Sequence, residues 1–314
     1  MRNLFKHLKQ SAFLLACGFA MINPANAQTD VDGIMMRKNN LCTGFQYSYS
    51  SWDHYWEGKL KRTNENLGDV STQMIGWMGN YGISNKLNFL FSVPYVWTKA
   101  SAGTLHGVNG IQDLSLMLKY KLLEKKYGKG KFSFFALGGY SFPVSNYLAD
   151  YQPLAIGLRS KNLTGRVTAD YEYNRMFITG TAAYIHRSNI EIDRDFYYTD
   201  EPHYTNEVKM PDAASFQIRL GYRGGLFGAE AIVSNWTTLG GFDISRNNMP
   251  FPSNEMNATM AGFSVKCNPR ALPGLSLMVG GNYTLSGRNM GQAIGANGAI
   301  MYVFDFNKKT KTPN

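Results

Sequence analysis

Cysteine is scarce, with 3 in 314 residues, which excludes a disulfide-stapled scaffold. Proline is sparse at 11, and charged residues make up only 17%, so a self-repelling disordered chain is excluded too. After the extreme N-terminus no apolar run approaches the roughly 20 residues that a helical span needs, which excludes a helical multi-span architecture. No phosphate-cradling glycine loop and no metal-ligand spacing is visible, so no cofactor and no metal site are expected. What is plentiful is glycine (32) and aromatic side chains (19 Tyr, 19 Phe, 5 Trp), the mixture of a mostly β protein.

The first residues read as an export signal. Arg2, Lys6 and Lys9 form a basic region, Ser11 to Ile22 an apolar core, and Ala25-Asn26-Ala27 a small-x-small cleavage site. This predicts a signal peptide over 1–27 and a mature chain from Gln28. Leu14-Leu15-Ala16-Cys17 is similar to a lipoprotein box, but lipidation there would leave an apolar core of only Ala12 to Ala16. Losing three positive charges lowers the formal charge from +10 to +7. The lysines cluster in connectors (Lys121, Lys125, Lys126, Lys129, Lys131) and in the tail at 308–311. That pattern fits solvated turns, and no nucleic acid is expected as a partner.

Beyond residue 40 hydrophobicity alternates with period two, the signature of strands with two unlike faces. Leu87, Phe89, Phe91, Val93, Tyr95 and Trp97 share one face, and Asn88, Ser92 and Pro94 the other. The same pattern predicts strands near 43–53, 70–81, 87–97, 112–122, 132–142, 155–172, 176–187, 215–223, 227–237, 257–267, 275–286 and 294–306. Their connectors alternate short and long, and each strand has the ~10 residues that a tilted strand needs to cross hydrocarbon. An even number closes the sheet and leaves no unpaired edge in lipid. The expected fold is therefore all-β: a transmembrane antiparallel barrel of about 12 strands, up-and-down, with short periplasmic turns and long extracellular loops. It would occupy 41–306, with a mature N-terminal segment at 28–40 and a periplasmic tail at 307–314. Tyr95 with Trp97, and Tyr302 with Phe306, fall at strand ends where amphipathic rings favour the membrane interface. Asn-x-Ser/Thr triplets at Asn162, Asn235, Asn257 and Asn282 lie on or beside strands and read as chance matches.

Three stretches resemble a known family. They are Gly82-Ile83-Ser84-Asn85-Lys86-Leu87 with Ser92-Val93-Pro94-Tyr95-Val96, Gly107-Val108-Asn109-Gly110-Ile111-Gln112-Asp113-Leu114 leading to Lys119-Tyr120, and Ser286-Gly287-Arg288-Asn289-Met290-Gly291. They are similar to the bacterial outer-membrane barrels named for the meta-pathway of phenol degradation. The resemblance implies a transporter in the outer membrane of a diderm bacterium, acting on small aromatic or apolar compounds. It carries no binding residues with it. Such a barrel would meet outer-membrane lipid and lipopolysaccharide, the barrel-assembly machinery and a small-molecule solute. With no energy-coupling segment, passage would be passive. Unlike most such barrels, the chain continues past its terminal aromatic Phe306, to Asn314.

By alternation, Asp113, Lys119, Arg166, Asp170, Glu172, Arg219, Glu230 and Arg288 point into the lumen. They read either as a polar path for a solute or as a salt-bridge network bracing the wall; a 12-strand barrel lies between filled 8-strand and open 16-strand ones. A structural or adhesive surface barrel with a closed lumen is the alternative to a channel. His186-Arg187-Ser188-Asn189 is similar to the His-x-Ser-Asn stretch of outer-membrane phospholipase A, which gives a lesser, enzymatic alternative with His186 activating Ser188. The expectation is that the protein is not an enzyme. The 188–214 loop, rich in Asp, Glu and Tyr, reads as a solvated lid whose aromatics pack on something rather than as a cation site. Ile34 to Met36 could thread into the lumen as a plug; the plainer expectation is a frayed periplasmic terminus. Cys42 and Cys267 would sit three strands apart, about 14 Å at the usual strand spacing, too far for a disulfide.

Overall fold

The computed structural model describes residues 30–245 and 249–307; the predicted signal peptide and the tail from 308 onward lie outside the described residues. Twelve long strands form one closed antiparallel sheet: β1 (Asn40–Trp52), β2 (Val70–Gly82), β3 (Leu87–Ala100), β4 (Asp113–Tyr127), β5 (Gly130–Pro143), β6 (Asn162–Tyr173), β7 (Met176–Arg187), β8 (Ala213–Arg223), β9 (Phe227–Thr238), β10 (Asn257–Cys267), β11 (Leu275–Arg288) and β12 (Ile294–Asp305). Each pairs with its neighbours in sequence. The cylinder closes where β1 pairs with β12, from Asn40↔Asp305 to Ser51↔Ile294. No backbone edge of the sheet is left for lipid to cover.

The start of β1, the end of β12 and the short connections 83–86, 128–129, 174–175, 224–226 and 268–274 share one end of the cylinder. The other end carries 53–69, 101–112, 144–161, 188–212 and 239–256, with 289–293 the one brief crossing there. Local chemistry sets the tight turns. Gly128 has φ of 57°, and Asn174 and Arg175 have φ of 48° and 74°. Positive φ in a two-residue hairpin loop matches the twist of the flanking strands.

The outer face is inverted relative to a soluble protein. At mid-height it exposes aliphatic side chains such as Ile75, Leu118, Val167, Ile218 and Val279. Two rings of exposed aromatics flank this belt. Tyr49, Tyr95, Tyr140 and Tyr184 lie toward the long-loop end, and Tyr120, Tyr171, Tyr222 and Tyr302 toward the short-turn end. An apolar band between aromatic girdles is the surface that a bilayer solvates.

The largest departures from the sequence reading lie at two places. The sixth strand begins at Asn162 rather than near 155. Leu154, Ile156 and Leu158 do alternate, but each packs into a different apolar cluster beneath the loops, so their period of two reflects loop packing and not a strand. The β4–β5 hairpin is longer than expected, running to Tyr127 and resuming at Gly130. A register slip between Lys121 and Leu123 turns both Leu122 and Leu123 outward.

The long loops form a cap of their own. Ile190, Ile192, Tyr197, Val208 and Met210 pack with Ala149 and Phe251 from two other loops. Tyr197 stacks on Phe251 at 5.2 Å and on His203 at 4.6 Å. The 53–69 loop contains a small hairpin, His54–Glu57 with Leu60–Thr63, which bonds to β11's outgoing chain through Trp56 N to Met290 O at 2.9 Å.

Candidate functional site: a strapped lumen

The lumen is crossed at its short-turn end by residues 30–36, which corrects the expectation of a frayed terminus. Lys119 on β4 is 1% exposed and holds this strap. Its Nζ donates to the Asp32 carbonyl at 2.6 Å, to Asp32 Oδ1 at 3.0 Å and to the Ile34 carbonyl at 3.0 Å. An ammonium has three donors, so these contacts account for all of them. The Lys119 ammonium also lies 5.3 Å from the Phe135 ring centroid. Arg166 on β6 bonds Asp30 Oδ2 at 2.5 Å. At the other side of the lumen Met36 is buried with Cys42 and Met301, with Met78, Met278 and Val303 packed around them. The strap therefore runs from the β12–β1–β2 wall to the β4–β6 wall. Residues 30–33 are bent, and Ile34 N donates to Asp32 Oδ1 at 3.1 Å, so Asp30 and Asp32 are placed by local turns. Alternation along the strands could not reveal this, because their partners lie on strands far away in sequence.

Gly33 makes the crossing sterically feasible. A Cβ there would sit 2.1 Å from Asp170 Cγ, so the strap lies directly on that carboxylate. Asp170 is completely buried and is held by the Arg223 guanidinium through Nη2–Oδ1 at 2.7 Å and Nη1–Oδ2 at 2.8 Å. It also accepts from Thr179 Oγ1 at 2.5 Å. Such a two-pronged contact fixes both partners. Glu172 lies 3.5 Å from Arg223 and 3.5 Å from Lys131. Arg219 and Glu230 pair at 2.9 Å on adjacent strands. Arg223, which completes this network, belongs to the polar face of β8 but was not singled out from sequence; adjacency to Arg219 and a terminal position masked it.

The remaining candidates sit higher. Asp113, at the start of β4, accepts from the Tyr147 hydroxyl at 2.5 Å. Tyr147 comes from the 144–161 loop, and burial, followed by this carboxylate beside its hydroxyl, pushes the phenol well above its ordinary pKa. Arg288, the last residue of β11, is engaged by Asp243 at 2.8 Å and Glu255 at 2.6 Å from the 239–256 loop. It thus braces the mouth. Cys42 and Cys267 are thiols, with no disulfide between them.

His186 is exposed on the outer face, with Nδ1 3.0 Å from Asp212 Oδ1. Asp212 also accepts from the Tyr184 hydroxyl and from Arg187 N at 3.0 Å. These donors, the Tyr184 hydroxyl first, hold its pKa at about 2. Ser188 Oγ faces elsewhere: it accepts from Lys161 N at 2.9 Å and donates to the Asn189 carbonyl at 3.0 Å. A histidine engaged with Asp212 and a serine hydroxyl engaged with backbone do not form a nucleophile–base pair.

Two cavities border the strap. One of about 510 Å³ is lined by Gly33, Ile34 and Met35 with Lys121, Lys131, Phe135 and Glu172. The other, of about 70 Å³, lies against Asp32 and Ile34 with Arg219, Glu230, Ser264 and Lys266. Among the described residues no group of three or more His, Cys, Asp or Glu is placed to hold a metal ion.

A closed sheet with an apolar exterior and a charged, strapped interior defines a membrane-type β-barrel of twelve strands. Among solved structures the chain is similar to an outer membrane channel from Pseudomonas putida F1. The TM-score is 0.70 and the identity 12%, over 89% of this chain and 100% of that one. That likeness shows the fold. The porin NanC aligns over 83% of this chain and 98% of its own at TM-score 0.45 and 7% identity. A deltaS2 mutant of the TodX monoaromatic hydrocarbon channel aligns over 87% and 91% at TM-score 0.42 and 9% identity. Both are too distant to carry more than a general likeness. No protein-family model matches the chain, and no curated protein does.

Proposed function

We propose that the protein is an outer-membrane channel that passes a small apolar or aromatic compound without energy coupling, and that residues 30–36 form its constriction. The observation that carries this reading is the strap with space beside it. A lumen filled only to brace the wall needs no cavity, whereas the one beside Gly33 measures about 510 Å³, within the range of small-molecule pockets. The sequence resemblance to the phenol-degradation barrels supports this solute class, and the likeness to an outer membrane channel supports the channel reading. In this reading the short-turn end faces the periplasm and the capped end faces outward.

The test is flux into vesicles containing the purified full chain, with benzyl alcohol as the probe. Entry faster than into empty vesicles is expected, and faster still when the strap's anchoring Lys119 is replaced by Met. If both chains behave as empty vesicles, the barrel is closed and its work lies on the surface.

A further inference from the structure

The inward face of β6–β8 carries four guanidinium groups in steps, the lowest being Arg223 on Asp170. Arg187 pairs in register with Asn162, Arg166 with Ala183, and Thr179 with Arg219. Successive levels are four residues apart, about 13 Å along a strand. Arg166 and Arg219 are neutralised by Asp30 at 2.5 Å and by Glu230 at 2.9 Å, although each keeps a buried Nε without a hydrogen-bond partner among the described residues. Arg187 differs in having no ion pair among the described residues, with the Asp212 carboxylate acting on it only from farther off. Arg187 is 5% exposed, and its Nε donates to the Pro211 carbonyl at 2.5 Å. Its buried Nη2 has no hydrogen-bond partner among the described residues. The indole of Trp236 on β9 flanks it, with the guanidinium carbon 5.9 Å from the ring centroid. Across the strand pair, the Asn162 Oδ1 is also buried without a partner.

A buried cation with an unsatisfied N–H is costly, and folding retains one only where something else compensates. An anionic oxygen entering from the lumen would do so with a charge-assisted hydrogen bond. The surroundings narrow its chemistry. One guanidinium lacks a carboxylate partner, and the adjacent Asn162 oxygen is itself an acceptor, which disfavours a second negative charge. The indole offers a face for a flat ring. We propose that Arg187, with Trp236 beside it, binds the carboxylate of a small aromatic monoacid in the upper lumen, above the strap. This rests on the channel reading and names the solute class for it.

The test uses the full chain in detergent micelles, titrated with benzoate and, separately, with its neutral counterpart benzyl alcohol, and read by calorimetry. Saturable benzoate binding is expected, at least about tenfold tighter than that of the alcohol, the factor one charge-assisted bond confers. Arg187→Met should lose about the same factor, and Arg187→Lys should recover part of it. Arg187→Met should also fold at least as stably as the parent, because it removes a buried, incompletely satisfied charge; a purely structural arginine would instead be missed. Equal affinity for the two probes, unchanged benzoate binding in Arg187→Met, or competition by chloride as strong as by benzoate would each overturn the proposal. If Arg187→Met does not fold, the comparison of the two probes on the parent chain still decides it. Benzyl alcohol flux without benzoate binding would sink this inference and leave the channel reading intact; benzoate binding without any flux would do the reverse.

Discussion

Replacing Lys119 with methionine removes the ammonium that ties the strap to the wall while keeping most of the side-chain volume. Three hydrogen bonds to Asp32 and Ile34, at 2.6 to 3.0 Å, disappear together. They share one donor group and cannot be summed. The better guide is the cost of breaking a buried ion pair by removing one partner, about 3–5 kcal/mol, because Asp32 would be left charged and desolvated. At 1.4 kcal/mol per decade this shifts the balance between docked and released strap by a factor of roughly 10² to 10³ or more. The barrel wall should persist, since its ladder does not involve Nζ. A cysteine placed at Ile34 reads the state of the strap through its maleimide labelling rate in intact vesicles. In the Lys119→Met background labelling should accelerate by at least about tenfold, and single-channel conductance should rise. Gly33→Ala supplies a second route without altering charge, because its Cβ would collide with Asp170 at 2.1 Å from Cγ, where Arg223 prevents retreat. Unchanged labelling and conductance in both variants would refute the reasoning, for the strap would then be held by something other than these contacts.

Two further outcomes follow from the outer face and the cap. Ile218→Arg places a guanidinium at mid-belt on the lipid side and should destabilise the folded barrel by about 2–4 kcal/mol, measured by urea unfolding in lipid vesicles; Ile218→Leu is the control. Asp212, whose pKa is depressed to about 2, anchors the 188–212 loop to β7 only while ionised. A carboxylate with a lowered folded pKa stabilises above its unfolded value, about 3.9, and loses that contribution as pH falls toward 2. Protease cleavage of the loop should thus be constant from pH 8 to 5 and accelerate below about 4, and Asp212→Asn should show the fast cleavage at neutral pH.

Much of this was legible in the residues because a barrel is built from short-range rules. Leu87 to Trp97 alternate since one face meets lipid and the other the lumen, and this alternation needs no knowledge of distant contacts. The same rule misfired at the start of the expected 155–172 strand, where the loop residues Ile156 and Leu158 fill two separate apolar clusters. Period two says that alternate side chains are buried, not in what. His186 and Ser188 illustrate a related limit: a sequence spacing puts both on one stretch of chain, but the Asp212 carboxylate and the Lys161 amide decide where their polar atoms turn.

Strand number, closure, the apolar belt and the segregation of short turns from long loops are properties of local pattern and length, and the amino-acid sequence alone determines them. The course of residues 30–36, the pairing of Asp30 with Arg166 and Asp32 with Lys119, and the contrast between Arg219, which pairs with Glu230, and Arg187, which has no ion pair among the described residues, belong to the tertiary structure. They depend on which groups a closed cylinder brings face to face across its interior. Residues 87 positions apart, such as Asp32 and Lys119, acquire a common environment only when the sheet has curled shut around them and excluded the water that would otherwise have screened each charge from the other.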